Sequence, residues 1–325
     1  MGDFPKLTTE DVKKFARDVG ADLVGIGSID RWQGAPLQHT PASIMPRAKS
    51  VIGLGFRVHR GSFRGIEEGT SYSTYTLSGS GDINRIIAPM VQRRVASFIE
   101  DHGYEATSIM YYGKDLAGTD GTPAINEDGT PKPAPEMFIN FRVAAVLCGM
   151  GEMGHSGMVL TPKFGPAQRF YFIVTEAELE QDPVLEGLCV KCMQCVKNCP
   201  AGAIGKERSH IIDIPGVATV ARGQLDAVKC RIAHIGGGLS PFACDKVRAY
   251  SQNIIDGDGE KAADGSPRPS FDEINENVTE KVGYAANAAK FKYPSGLCGA
   301  ECVRSCVAFL DKTNRLELKF HNKFR

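Results

Sequence analysis

Three short apolar runs in the first 180 residues have the length and the polar or glycine boundaries of buried strands. They cover residues 21–27, 50–56 and 169–175. The segments between these runs have apolar residues at helical spacing. Thr8 is placed to cap a helix over residues 8–18. Strands that alternate with helices in this way predict an α/β layer.

The strongest helical pattern runs from Asp82 to about His102, and a weaker one from Phe138 to Leu147. The first pattern predicts one apolar face made of Ile83, Ile86, Ile87, Met90, Val91, Val95 and Phe98.

Segments rich in Gly, Ser, Pro or Asp separate these elements. We expect residues 59–82 to form a long loop over a site, 115–135 a second loop and 255–280 a polar surface excursion. From Cys189 onward, short segments are punctuated by cysteines. The pattern therefore predicts an α/β domain over residues 1–180 and a cysteine-rich domain over 181–325.

Charge and targeting signals narrow the class of protein. The chain has 325 residues, with 38 Lys and Arg against 38 Asp and Glu, and this neutral balance makes a nucleic-acid partner unexpected. No apolar run is long enough for a spanning helix, and no secretory pattern opens the chain, so we expect a cytoplasmic protein. Ten cysteines in a reducing compartment indicate metal binding rather than disulfides.

The cysteines are spaced for iron–sulfur clusters. Cys189-x2-Cys192-x2-Cys195-x3-Cys199-Pro200 is the bacterial ferredoxin pattern, in which three thiolates hold one cubane and the fourth reaches another. A zinc knuckle is the alternative, but it generally needs a second close Cys pair or histidines.

A second group of thiols completes two [4Fe–4S] clusters. One cluster is assigned to Cys189, Cys192, Cys195 and Cys306. The other is assigned to Cys199, Cys298 and Cys302, with Cys230 and Cys244 competing for its last position. Two saturated cubanes relay electrons, so the α/β domain is expected to hold a second cofactor or a substrate.

A glycine-rich stretch carries a family resemblance. Residues 148–169 read CGMGEMGHSGMVLTPKFGPAQR and resemble the Gly-Leu-Gly-Glu, Thr-Pro and Gly-Pro-x-x-Arg pattern of corrinoid reductive dehalogenases. The order of segments is also similar to that of epoxyqueuosine reductases, whose lone upstream cysteine resembles Cys230. The resemblance implies a nitroreductase-like α/β (α+β) domain that binds base-off cobalamin, followed by a ferredoxin-like domain with two [4Fe–4S] clusters.

Two departures from these families affect the expected role. No twin-Arg export signal is seen. No aspartate near residues 135–140 aligns with the proton donor of the epoxyqueuosine reductases, which makes a transfer-RNA substrate less expected.

Backbone amides of glycine-rich turns suit a corrinoid, since a missing Cβ allows close approach. The candidates are Gly149, Gly151, Gly154 and Gly157, whose alternative role is to turn or pack the chain. A turn containing Ser78 and Gly79 is a second candidate, for a phosphate at a helix N-terminus. His155 is expected at the surface or behind the site rather than on cobalt.

A reductase of this class also needs a proton donor, and a tyrosine serves when a cation stabilises its phenolate. The candidates are Tyr72, Tyr75, Tyr111 and Tyr112, with Lys114 or Arg57 as the cation. Each tyrosine has packing as its alternative role.

The function predicted is that of an oxidoreductase that removes a leaving group from a small organic substrate. A low-potential ferredoxin or flavodoxin would supply the electrons. The alternatives are epoxyqueuosine reduction on transfer RNA, electron transfer to a corrinoid partner protein, and corrinoid binding without turnover.

Overall fold

The computed structural model describes residues 4–71, 74–109, 130, 139–214, 216–234, 245–270, 273 and 301–325. The strands are β1 Leu23–Ser28, β2 Ser50–Arg57, β3 Ala106–Ile109, β4 Glu152–Met153, β5 Val159–Leu160, β6 Gln168–Thr175, β7 His210–Ile214 and β8 Ala218–Arg222. The helices are α1 Thr9–Asp18, α2 Gly61–Glu67, α3 Ala88–Glu100, α4 Phe141–Leu147, α5 Gln194–Lys197, α6 Ala227–His234, α7 Asp245–Asp256 and α8 Glu301–Lys312.

A four-stranded antiparallel sheet, in the order β1-β2-β6-β3, organises the N-terminal half. Alternate side chains of β2 and β6 point to opposite faces of the sheet, and helices cover both faces. Ile52 and Ile173 pack with α1 and α3, whereas Val51 and Phe172 pack with α4. The mixed α/β class predicted from the sequence is confirmed.

The face toward α4 is shaped by glycines that let the helix end approach the sheet. A Cβ on Gly27 would lie 2.8 Å from the carbonyl oxygen of Leu147. Phe172 is fully buried on this face, and such burial contributes about 1.5–3 kcal/mol.

The cysteine-bearing C-terminal helix belongs to the same packed body as the sheet. Val303, Val307 and Leu310 of α8 lie in the core cluster that contains β2 and β6 side chains. The last described segment returns to the 162–163 turn, where Glu317 donates to the carbonyl of Pro162 at 3.0 Å. None of the helices in the described part of the chain is long and apolar enough to cross a membrane.

Most strand and helix predictions are confirmed within a few residues, including the cap at Thr8, which forms a capping box with Asp11. The loop predicted over 59–82 is wrong in part, since it contains α2 and a π-helical turn over Tyr75–Gly81. A second π turn, Ile83–Ile87, precedes α3. Of the excursion predicted over 255–280, residues 257–270 are turns as predicted, 255 and 256 are the end of α7, and 271–280 lie outside the described residues except for Glu273. The predicted 115–135 loop lies almost wholly outside the described residues.

Candidate iron–sulfur site

The loop that opens the cysteine run is held by one carboxylate. Glu152, on β4, accepts hydrogen bonds from the backbone N–H of Leu188 at 2.5 Å and of Cys189 at 2.9 Å. Hydrogen bonds to an ionised acceptor are stronger than neutral ones. The short β4–β5 hairpin therefore fixes the point at which the chain enters the cysteine loop.

Two left-handed residues then bend the loop between its thiols. Lys191 has φ 53° and Met193 has φ 61°, a region that residues other than glycine seldom adopt. The short helix α5 begins at the next residue and carries Cys195, which is buried. These reversals turn Cys189, Cys192 and Cys195 toward one small cavity.

The fourth thiol of this group comes from α8. Cys306 lines the same cavity as Cys189, Cys192 and Cys195, together with the apolar side chains of Leu160 and Leu310. Burial, and then the neighbouring thiols Cys189 and Cys192, raise the pKa of Cys195 to about 11. Burial and the same neighbours also raise the pKa of Cys306. Thiols placed so close together in apolar surroundings suit a bound cation cluster that stabilises their thiolates.

A second pair of thiols is assembled by short backbone pairing. Gly205 donates to the carbonyl of Gln224 at 2.8 Å and Asp226 to that of Ala203 at 2.8 Å, which sets α6 against the 199–205 turn. Cys230 on α6 consequently lies near Cys199, and both pack against Ala201, Ala203 and Ala233. Burial and then Cys199 raise the pKa of Cys230.

Only some of the remaining cysteines lie within the described residues. Cys302 lies one turn before Cys306 on α8 and is half-buried. Cys298 and the competing Cys244 lie outside the described residues. Cys148 is fully buried, where its thiol donates to the carbonyl of Val51 at 3.4 Å, and burial raises its pKa.

Backbone amides also point at the thiol sulfurs. His155 donates its N–H to Sγ of Cys189 at 3.4 Å, and Ala203 donates to Sγ of Cys199 at 3.3 Å. Such hydrogen bonds stabilise thiolates and tune the reduction potential of a bound cluster. Within the described ranges, no three His, Cys, Asp or Glu side chains converge as they would on a single metal ion. A cubane has no such requirement, because each of its thiolates binds a different iron.

His155 is buried, which excludes the surface position and leaves the other expected position, behind the site. Its Nε2 donates to the carbonyl of Gly205 at 2.8 Å, and its own carbonyl accepts from Gly223 at 2.9 Å. The residue thus ties the cysteine loop to the 203–226 pairing behind it.

The four glycines predicted to cradle a corrinoid face atoms of the chain itself. A Cβ on Gly149 would lie 2.5 Å from the carbonyl oxygen of Pro183, and one on Gly157 2.8 Å from Cδ of Arg222. Cβ atoms on Gly151 and Gly154 would both collide with Leu160. Their packing role therefore accounts for the missing side chains. The backbone N–H groups of Gly149, Gly154 and Gly157 also donate to carbonyls of the chain itself, so these turns do not fit a cradle for cobalamin.

The other predicted cofactor and proton-donor residues are not brought together in the described residues. Ser78 and Gly79 lie inside the π-helical turn rather than in a turn before a helix, so the predicted phosphate position is wrong. Tyr75 is buried in the core, with its ring centroid 5.2 Å from that of Phe63. Arg57 pairs with Asp22 at 3.3 Å. The predictions for Tyr72, Tyr111, Tyr112 and Lys114 lie outside the described residues.

Sequence reasoning missed Glu152 as a loop anchor. Glu152 follows Gly151 directly in the sequence, but its bonds to residues 188 and 189 span 36 and 37 positions of the chain. Nothing in the local sequence indicates such a contact.

Comparison with known proteins defines the class of this site. The model of the 4Fe-4S binding domain matches residues 183–205, which contain the four cysteines of the ferredoxin pattern. The chain thus carries an iron–sulfur cluster-binding motif.

The relatives then extend the class to a superfamily. The tetrachloroethene reductive dehalogenase of Dehalobacter restrictus is 33% identical over 96 residues, which are 26% of this chain and 17% of the relative. The epoxyqueuosine reductase of Bacillus subtilis is 21% identical over 243 residues, 68% of this chain and 54% of the relative. Homologues of the chain thus include both families, which confirms the predicted superfamily, and these relatives are reductases.

A solved catabolic reductive dehalogenase superposes with a TM-score of 0.49 and 16% identity, covering 90% of this chain and 37% of that one. The chain spans about half the length of the epoxyqueuosine reductase and about a sixth of the dehalogenase in these alignments.

Proposed function

We propose that this chain is an iron–sulfur reductase that removes a leaving group from a small organic substrate. The observation that carries the proposal is the convergence of Cys189, Cys192, Cys195 and Cys306 on one cavity, within a chain whose homologues are reductases. A bound [4Fe–4S] cluster would supply single electrons at this position. The chain's own residues hold the thiolates, exclude water with Leu160 and Leu310, and donate N–H groups to sulfur.

The second cluster is part of the proposal. Cys199 and Cys230 supply two neighbouring thiols, and Cys298 and Cys302 complete the set in our assignment. A low-potential ferredoxin or flavodoxin would deliver electrons to one cluster, and the other would pass them to the substrate-binding side. In this proposal, residues 1–180 form the domain that binds the substrate and residues 181–325 form the domain that binds the clusters.

A corrinoid is proposed from the likeness of residues 148–169 to the dehalogenases. When bound, it would supply a strongly reducing cobalt centre. Since the four glycines are in contact with the chain itself, other residues would have to hold the corrinoid.

Reduction of epoxyqueuosine in transfer RNA is the second candidate. It is favoured by the length of the alignment with the Bacillus subtilis enzyme, 243 residues. Because that family is among the relatives, the neutral charge of the chain no longer argues against a nucleic-acid substrate.

One experiment separates these possibilities. The full chain is reconstituted anaerobically with iron, sulfide and hydroxocobalamin, and cobalt retention is measured after gel filtration. Turnover is then assayed with a chemical reductant on halogenated arenes and alkenes and on epoxyqueuosine-containing transfer RNA. Release of halide supports the first proposal, and conversion of the transfer RNA supports the second. Iron–sulfur clusters without cobalt or turnover would overturn both and indicate an electron carrier.

A further inference from the structure

A cavity of about 290 Å³ lies between the end of β2, the 163–167 turn and the C-terminal segment. Ligand sites in proteins begin near this size. The cavity is separate from the one that the cysteines line, although both border α8: Val307 faces this cavity and Cys306 the other.

The charged side chains that line the cavity are basic, although two of them, Arg57 and Arg60, are paired with Asp22 and Glu67, which do not line it. Four basic side chains line it, and no Asp or Glu is among its lining residues. The basic residues are Arg57, His59, Arg60 and Lys163. Lys163 makes no ion pair with any residue in the described ranges, and its Nζ lies 5.2 Å from the ring centroid of Phe164. Lys163 therefore leaves a positive charge without a carboxylate partner among the described residues, and an anion would complement it.

Arg60 is the buried member of this set. Its side chain is 9% exposed. Its Nη2 bonds Glu67 at 2.8 Å and the carbonyl of Lys323 at 2.7 Å, and its guanidinium lies 4.1 Å from the ring centroid of Phe324. Its Nη1, however, is buried without a hydrogen-bond partner. A buried donor of this kind is costly unless a ligand or water accepts its proton.

The remaining walls are apolar and aromatic. They comprise Val58, Phe164, Ala167, Val307, Leu316, Leu318, Phe320 and Phe324. The C-terminal wall is held in place by backbone bonds, for Leu318 donates to the carbonyl of Lys163 at 3.3 Å. A bare inorganic anion would leave these walls without contact, whereas an anion with an aromatic body would cover them.

We propose that this cavity binds a small organic anion, with a carboxylate or phosphate toward Arg60 and Lys163 and an aromatic body against the phenylalanines. The proposed binding does not depend on the proposed function. Only the statement that the anion is the substrate of the reductase rests on the proposed function. Because the cavity shares α8 with the cluster thiols, a reducible anion bound there would lie beside the electron source.

Isothermal titration calorimetry on the cluster-loaded full chain tests the proposal, with benzoate, its neutral analogue benzamide, and inorganic phosphate as probes. We expect benzoate to bind about tenfold more tightly than benzamide, the value of one hydrogen bond to a charged group. Inorganic phosphate should bind more weakly than benzoate because it leaves the apolar walls uncovered.

Variants locate the binding. Lys163→Gln should weaken benzoate about tenfold, and Leu318→Trp, which fills the cavity, should weaken benzoate and benzamide alike. Lys49→Gln, an exposed lysine remote from the lining residues, is the matched control and should bind as the natural chain does. Arg60 is left intact because it balances the buried Glu67.

The proposal is overturned if benzoate gives no saturable binding, if benzamide binds equally well, or if Lys163→Gln and Leu318→Trp both bind benzoate as Lys49→Gln does. Tighter binding of phosphate than of benzoate would also overturn it. No outcome of this test depends on cobalt or turnover. Anion binding can therefore be refuted while the proposed reductase activity stands, and the reductase activity can be refuted while anion binding stands.

Discussion

Glu152 offers a direct test of how the cysteine loop is held. Replacing it in Glu152→Gln keeps the shape and an acceptor oxygen but removes the charge. The backbone N–H groups of Leu188 and Cys189 would then bond a neutral oxygen instead of a carboxylate. The perturbation is confined to the start of the loop, at the residue that carries the first cluster thiol and the residue before it.

The magnitude follows from the two bonds. A hydrogen bond to a charged group is worth roughly 1.5–3 kcal/mol, and a neutral one about 0.5–1.5 kcal/mol. Both donors share one oxygen, so their losses do not add fully, and about 2 kcal/mol is expected in total. This free energy corresponds to about a thirtyfold fall in the fraction of chains with an ordered loop.

The assay is the rate at which a strong iron chelator strips the reconstituted protein, followed by loss of the cluster's visible absorption. Glu152→Gln should lose iron at least several-fold faster than the natural chain, because an unanchored loop exposes the cluster. Glu178→Gln, at an exposed glutamate outside the cysteine loop, is the matched control. Equal rates of loss in the two variants would refute the anchoring role of Glu152.

Two further predictions concern single side chains. Cys306→Ser should remove a cluster ligand and lower the iron content of the reconstituted chain. Cys148→Ser, at a buried thiol away from the cluster cavity, should retain full iron. Equal iron content in the two variants would argue against Cys306 as a cluster ligand. Gly149→Ala should destabilise the chain by about 2 kcal/mol or more, because its φ is +67° and its Cβ would press on the carbonyl of Pro183. Chemical denaturation checks this value, and an unchanged midpoint would contradict the packing role of Gly149.

Local periodicity predicted the sheet strands well because their side chains alternate between two buried faces. It failed just before α3 and in the first turn of α3. Ile86, Ile87 and Met90 were predicted on one buried face, yet each is more than 40% exposed. The π turns preceding α3 alter the number of residues per turn, so a pattern counted at 3.6 residues assigns the wrong face.

The cysteine spacing predicted the local part of the candidate site, because thiols two and three residues apart share one loop. The sequence assigns Cys306 to the first group, and Cys306 lines the same cavity as the other three thiols of that group. The anchors of the site could not be found in this way. Glu152, His155 and the cavity around Arg60 each join segments far apart in sequence, and no local pattern encodes those contacts.

The most direct test of the central claim is the iron and acid-labile sulfide content of the full chain after anaerobic reconstitution. Two cubanes predict about eight iron and eight sulfide per chain. About four of each would support one cluster and contradict the second, and a chain that retains neither iron nor sulfide would contradict the iron–sulfur reductase altogether.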